Sequence, residues 1–199
     1  MSRTAITFLS GQVLTYKYLM RQESYYVAAF LVAIWLVYIV DAIIPYALNQ
    51  WGLDPRTLSG LPGIALMPFL HQGLGHVLGN TLSLAILLVL LLGSRRNHWA
   101  IIVAIILGNG VLLWLFGRSG NHVGASGLVF GLIAYLIVAG ILEKKPVSIG
   151  IALLVGFFFG GTLITGIIPR VSSEVSWDGH LSGAMAGAGV AYLMFKPRR

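Results

Sequence analysis

Six runs of roughly 20 mainly apolar residues dominate this sequence, at about 27–48, 75–93, 99–117, 126–142, 147–168 and 178–195. Hydrocarbon offers the backbone no hydrogen-bond partner, so a spanning segment must be a helix or part of a closed barrel. Barrel strands need only about 10 alternating residues, and these runs are longer and continuously apolar. The predicted fold is therefore an all-α membrane protein, a bundle of six transmembrane helices. The runs at 126–142 and 178–195 are marginal in length and rich in glycine, which predicts that they pack inside the bundle rather than against lipid. The first run is too long and too late for a cleaved signal peptide and is expected to remain as a helix. The chain divides into a short polar, basic cytoplasmic segment (1–26), one membrane domain (27–195) and a basic cytoplasmic tail (196–199). Composition agrees: 57% of the residues are hydrophobic and 10% charged, against about a quarter charged in soluble domains. Cysteine is absent, which removes disulfides, thiol nucleophiles and zinc ribbons from consideration.

The formal net charge of +7 invites a nucleic-acid reading, but its distribution argues against one. With the N-terminus inside, the inner segments hold ten cations: Arg3, Lys17, Arg21, Arg95, Arg96, Lys144, Lys145, Lys196, Arg198 and Arg199. The outer segments hold three, Arg56, Arg118 and Arg170. This is the bias expected of cytoplasmic loops, so both termini are predicted to be cytoplasmic, with 49–74, 118–125 and 169–177 facing outward. Neither an internal repeat nor a low-complexity tract is visible. The one long connection, 49–74, is broken by Pro55, Pro62 and Pro68. Its apolar second half, LPGIALMPFL, reads either as a plain connector or as an interfacial element.

Ionisable and polar residues inside a membrane are costly and point to function. Here they converge. His76 and Asn80 fall in the first turns of the second run, Ser126 opens the fourth and His180 lies near the start of the sixth. All three runs enter from the outer side, so three helices deliver polar groups to one depth. His76 and Asn80, four residues apart, share a helix face. Ser126 stands in GASG, Gly124 to Gly127, where backbone N–H groups at a helix start lack partners and favour developing negative charge. Gly127 and Gly131 in the fourth run, and Gly179, Gly183 and Gly187 in the sixth, recur every four residues, a spacing that lets membrane helices approach closely. That contact brings His180 toward Ser126, and a serine hydroxyl needs a nearby base to become nucleophilic.

Taken together, GASG, HQGLGHVLGN (His71 to Asn80) and WDGHLSGAMAGAG (Trp177 to Gly189) resemble the rhomboid intramembrane serine proteases. The resemblance covers about residues 27–195. It implies Ser126 as nucleophile and His180 as general base, a dyad with no required aspartate. It implies that His76 and Asn80 hold the oxyanion with the Ser126 N–H, in a turn begun by Gly124. Phe130 matches an aromatic packed against the base, and His71 a histidine with a lesser, structural role. The implied reaction is hydrolysis of a peptide bond in or near the transmembrane segment of a membrane-protein substrate, through an acyl-enzyme, with no metal or organic cofactor. Many members carry a Trp-Arg pair in the first outer loop; here the stretch reads Pro62-Gly63, and Arg56 is that loop's only basic residue.

Other polar residues have plainer readings. His71 and His122 stand at outer ends and read as interfacial. Asp178, two residues from His180, points elsewhere on a helix and reads as an N-terminal helix charge. Asp41 and Asn109 read as structural hydrogen-bonding groups. A metalloprotease would need a motif such as HExxH, which the chain lacks. A transporter would be expected to show inverted repeats and midplane breaks, and neither is visible. A noncatalytic membrane-protein-binding relative would be expected to have lost Ser126 or His180. The site is expected in a water-filled cavity open to the outer side, with substrates arriving sideways near the fifth run and its Phe157, Phe158 and Phe159. The compact chain looks prokaryotic, which would put the site on the non-cytoplasmic face of the cytoplasmic membrane.

Overall fold

The computed structural model describes residues 3–44, 48–95, 97–169 and 176–196, with side chains from residue 23 onward. Arg96, Arg170, Arg198 and Arg199, and most of the predicted 196–199 tail, lie outside the described residues. The helices are α1 (Arg3–Ile43), α2 (Gly63–Leu66), α3 (Leu74–Ser94), α4 (His98–Phe116), α5 (Ser126–Glu143), α6 (Pro146–Ile167) and α7 (Trp177–Phe195). Short 3-10 turns occupy Leu48–Trp51 and Met67–Phe69. Among the described residues there is no strand, only one isolated bridge between Leu53 and His122.

Among the described residues, five helices are long and apolar enough to cross a membrane: Glu23–Ile43 within α1, then α3, α4, α5 and α6. The sixth predicted run is the helix α7, 19 residues long, but Asp178, His180 and its small residues keep it from being comparably apolar. The helix α1 also starts far earlier than its apolar stretch, so the polar lead-in predicted for 1–26 is largely helix continuous with the first span.

Burial follows the expected layering. The helix α5 is buried on nearly every side, from Gly127 through Gly140, as befits a helix apolar all round at the centre of a bundle. The helix α3 buries one stripe, Leu84, Leu87, Leu88, Leu91 and Leu92, and α4 another, Ile101, Ile102, Ile105 and Leu113. By contrast α6 buries only Ser148 and Val155 and exposes Leu153, Phe157 and Phe158. Lipid is as apolar as leucine, so close packing and interhelical polar contacts hold such a bundle rather than escape from water.

The closest packing joins α5 to α7. A Cβ on Gly183 would overlap the Gly127 carbonyl oxygen, and one on Gly187 would overlap that of Gly131. Only glycine permits this approach, and the four-residue spacing predicted it. Polar staples close the two ends. At one end Glu143 binds Arg95 at 2.7 Å, Lys145 at 2.7 Å and the Ser148 hydroxyl at 2.6 Å, tying α3, α5 and α6. Beside them Glu23 of α1 meets His98 Nε2 at 2.8 Å and Trp99 Nε1 at 2.9 Å.

At the other end the 49–70 loop is built into the protein. Met67 and Leu53 are buried with Leu113 and pack against Ile64 and Trp114. Ile64 lies so close to Gly110 of α4 that a Cβ there would collide with it. The apolar second half of the loop therefore docks largely on α4, while Leu61 and Leu66 stay exposed. The lone Arg56 donates to the Gly117 carbonyl at 2.6 Å, a cation placed at the C-terminal end of α4. Asp41 accepts from the Leu48 and Asn49 backbone N–H groups and from Asn49 Nδ2 at 2.6 Å, the structural role expected of it.

Candidate active site

One cavity of about 680 Å³ opens among α3, α5, α6 and α7. Its lining includes His76, Asn80, Ser126, Phe130, Gly166 and His180. The four polar residues that the sequence placed at one depth thus line the same cavity.

Ser126 is the first residue of α5, after the helix boundary at Ala125. Gly124, just before it, has φ of +116°, a conformation that a side chain would strain. A Cβ at Gly124 would also lie 2.6 Å from the His76 ring. This glycine therefore serves both the turn that delivers Ser126 and the close approach of α3. The N–H groups of the first turn of α5 have no partners inside the helix.

His180 is buried in the first turns of α7 and held on two sides. Its ring stacks on Phe130, centroids 4.0 Å apart and planes 4° from parallel. Its Nδ1 lies 3.1 Å from the Gly166 carbonyl oxygen of α6. A carbonyl oxygen only accepts, so Nδ1 carries the hydrogen, and in the neutral ring Nε2 is left bare. Phe130 was expected against this histidine and is there; Gly166 was not anticipated. No motif marks it.

On the opposite wall Asn80 Nδ2 is 2.9 Å from His71 Nε2, and the rings of His71 and His76 meet edge to face at 5.0 Å. Asn80 thus uses one amide hydrogen on His71 and keeps a second. His71 is 2% exposed, so its interfacial reading is corrected: it is an interior residue that orients Asn80. Burial, with His76 beside it, lowers the His71 pKa to about 4, despite the opposing contact to the Phe69 carbonyl. It stays neutral at physiological pH.

His122 is likewise buried rather than interfacial. It joins a clasp at the start of α7. Its Nε2 donates to the Arg118 carbonyl at 2.9 Å, and its Nδ1 faces the Ser176 hydroxyl at 2.8 Å. Asp178 accepts from the Arg118 backbone N–H at 2.8 Å and the Arg118 guanidinium at 3.2 Å. Ser176 caps α7 by accepting from the Gly179 N–H at 3.1 Å. Asp178 is in the first helical turn, as read from the sequence, and is also the anchor of this clasp. The serine before a small-residue helix was a legible capping signal; its partner His122, 54 residues away, was not.

Asn109 of α4 is buried against Gly127, leaving no room for a Cβ there. Its Oδ1 has no hydrogen-bond partner among the described residues. No three histidine, aspartate or glutamate side chains among the described residues are grouped to hold a metal ion.

Comparison with known proteins agrees with the residue pattern. A rhomboid-domain family model matches residues 59–197. An uncharacterized protein of Mycobacterium tuberculosis is 39% identical over 183 residues, covering 87% of this chain and 75% of its own length. An uncharacterized protein of Mycobacterium leprae is 34% identical, with 87% and 72% covered. A RHOMBOID-like protein of Arabidopsis thaliana is 32% identical over 128 residues, 60% of this chain and 32% of that one. On the extent of the domain match and the similarity of these relatives, this chain is a multi-pass membrane protein of the rhomboid family.

Proposed function

We propose that this protein is an intramembrane serine endopeptidase that cleaves peptide bonds in or near the transmembrane segments of membrane proteins. Ser126 is the nucleophile, and His180 takes its proton through Nε2. The alkoxide attacks the scissile carbonyl, whose oxygen becomes an oxyanion held by the Ser126 N–H, His76 and the free amide hydrogen of Asn80. The tetrahedral intermediate collapses, the C–N bond breaks and the imidazolium returns its proton to the leaving amine. Water, deprotonated by His180, then hydrolyses the Ser126 ester and restores the hydroxyl. No metal or organic cofactor takes part.

The observation carrying this reading is the shared cavity, with Ser126 at a helix start and His180 fixed between Phe130 and Gly166. Sideways access of substrate between α3 and α6 is supported by the lining, which takes Gly75 and Gly79 from α3 and Thr162 and Thr165 from α6. In this reading both termini are cytoplasmic and the cavity faces the other side of a prokaryotic cytoplasmic membrane, supported by the charge bias of the loops.

The test is cleavage of a single-span substrate by purified protein beside Ser126→Ala and His180→Ala. Turnover by the wild type, with a loss of several orders of magnitude in both variants, is the expected result. Equal cleavage by all three would assign the activity to a contaminant. Failure of wild type on several substrates, with no labelling of Ser126 by a fluorophosphonate, would favour a noncatalytic membrane-protein-binding role.

A further inference from the structure

We infer that the C-terminal end of α6 does for His180 what a buried carboxylate does in a catalytic triad, through the Gly166 carbonyl, so that the base is competent only while α6 is seated against α7. This rests on the hydrolase reading above. A base that removes a serine proton needs three things from its surroundings: a fixed ring plane, a fixed tautomer and a compensating negative potential for the imidazolium that forms.

Each is identifiable. Phe130, one turn after Ser126, fixes the ring plane by stacking at 4.0 Å. The Gly166 carbonyl, 3.1 Å from Nδ1, fixes the tautomer. Gly166 is the penultimate residue of α6, so its carbonyl is one of the last four, which lack an intrahelical partner. The same position carries the negative end of the helix dipole, which favours a cationic ring next to it.

Asp178, two residues before His180, is committed to the Arg118, Ser176 and His122 clasp. Gly166 also has to be glycine. A Cβ there would overlap the edge of the Phe130 ring and stand 3.2 Å from His180 Nδ1.

The acceptor thus sits on a helix with few fully buried side chains. The described residues of α6 bury only Ser148 and Val155, both in its first half, far from Gly166. Displacing the end of α6, as a substrate arriving between α3 and α6 would do, removes the acceptor and leaves His180 free to change tautomer. Its return over a bound substrate restores the base. Chemistry is thereby coupled to closure, and the open site does not attack.

The experiment is nitrogen-15 NMR of histidine-labelled protein in micelles, performed on Ser126→Ala so that no turnover enters the reading. The expected result is a protonated Nδ1 and bare Nε2 on His180. Adding Gly166→Ala is expected to abolish that signature, while Gly161→Ala, whose Cβ meets nothing within 4 Å, leaves it intact. In protein with native Ser126, Gly166→Ala is expected to slow fluorophosphonate labelling by about ten-fold or more with the fold retained.

A protonated Nε2 on His180 in the parent overturns the inference, whether or not Gly166→Ala folds. So does a folded Gly166→Ala protein that keeps the Nδ1–H signature and labels at the parent rate. Native protein that never labels, with the Nδ1–H signature present and lost on Gly166→Ala, overturns the hydrolase reading and leaves the α6–His180 coupling standing.

Discussion

The imidazole of His180 and the ring of Phe130 lie face to face, 4.0 Å apart and within 4° of parallel, although they belong to different helices. The pair spans the α5–α7 seam. Ser126 is on the same helix as Phe130, so the stack sets the candidate base against the element that carries the candidate nucleophile.

Phe130→Leu is expected to lower kcat by roughly three- to ten-fold, the equivalent of about 0.5–1.5 kcal/mol for an aromatic pair. KM should be nearly unchanged, because the ring orients the base and does not hold substrate. Phe130→Tyr should retain most of the activity. Steady-state kinetics on a fluorogenic single-span substrate separate the two parameters; a change confined to KM would put Phe130 in substrate binding instead.

Asp178→Asn separates a clasp from a triad. Its side chain is 8% exposed, but its partner Arg118 is 44% exposed, so the pair is partly screened by solvent. The expected cost is about 1–2 kcal/mol of stability and less than about ten-fold in kcat. Replacing a triad aspartate costs about 10⁴-fold. Turnover measured beside thermal unfolding in detergent distinguishes the two roles.

Gly187→Ala is expected to destabilise the bundle by about 1–3 kcal/mol, since the new methyl group overlaps the Gly131 carbonyl and α5 and α7 must separate. Gly189→Ala, where a Cβ meets nothing within 4 Å, is expected to be neutral. Reversible unfolding of both variants in mixed micelles gives the comparison, and equal stability would show that the seam yields.

His71 gives the protein a specific acid sensitivity. Its folded pKa, lowered to about 4 by burial and the neighbouring His76, lies below the ordinary value of about 6.5. Between those values the unfolded chain binds the extra proton and the folded chain does not. Stability contributed by this site is therefore complete above about pH 6.5 and is lost as pH falls toward 4, with a slope of at most about 1.4 kcal/mol per pH unit. Unfolding measured at intervals from pH 7 to 4 should show a flatter dependence for His71→Gln, whose amide oxygen can still accept from Asn80.

The helices and their packing order were largely readable, because hydrocarbon length and four-residue glycine spacing are periodic signals carried within each segment. Gly183 and Gly187 announced the α5–α7 seam, and Gly124 the turn before Ser126. What escaped were contacts between distant segments with no local pattern. Nothing around Gly166 indicates that its carbonyl meets His180. Nothing near His122 indicates that it is sealed by Ser176 and Arg118 rather than placed at the interface. The 49–74 loop kept two readings because apolar residues such as Ile64 and Met67 suit a lipid surface and a protein groove equally; the groove beside Gly110 and Leu113 decided between them. The polar start of α1 was read from composition, whereas a helix once nucleated propagates through polar residues at little cost.

The backbone-to-backbone seam between α5 and α7 has a bearing on the surrounding lipid. Where two helices meet through glycine hydrogens and carbonyl oxygens, no rotamer lies between them to relax when the bilayer thickens, thins or stiffens. The elements bearing Ser126 and His180 form a fixed jaw, while α6, with Phe157 and Phe158 turned outward, is the part that the membrane can push. A change of lipid should then alter how often this protein admits a guest helix, and leave untouched how fast it acts once the guest is seated.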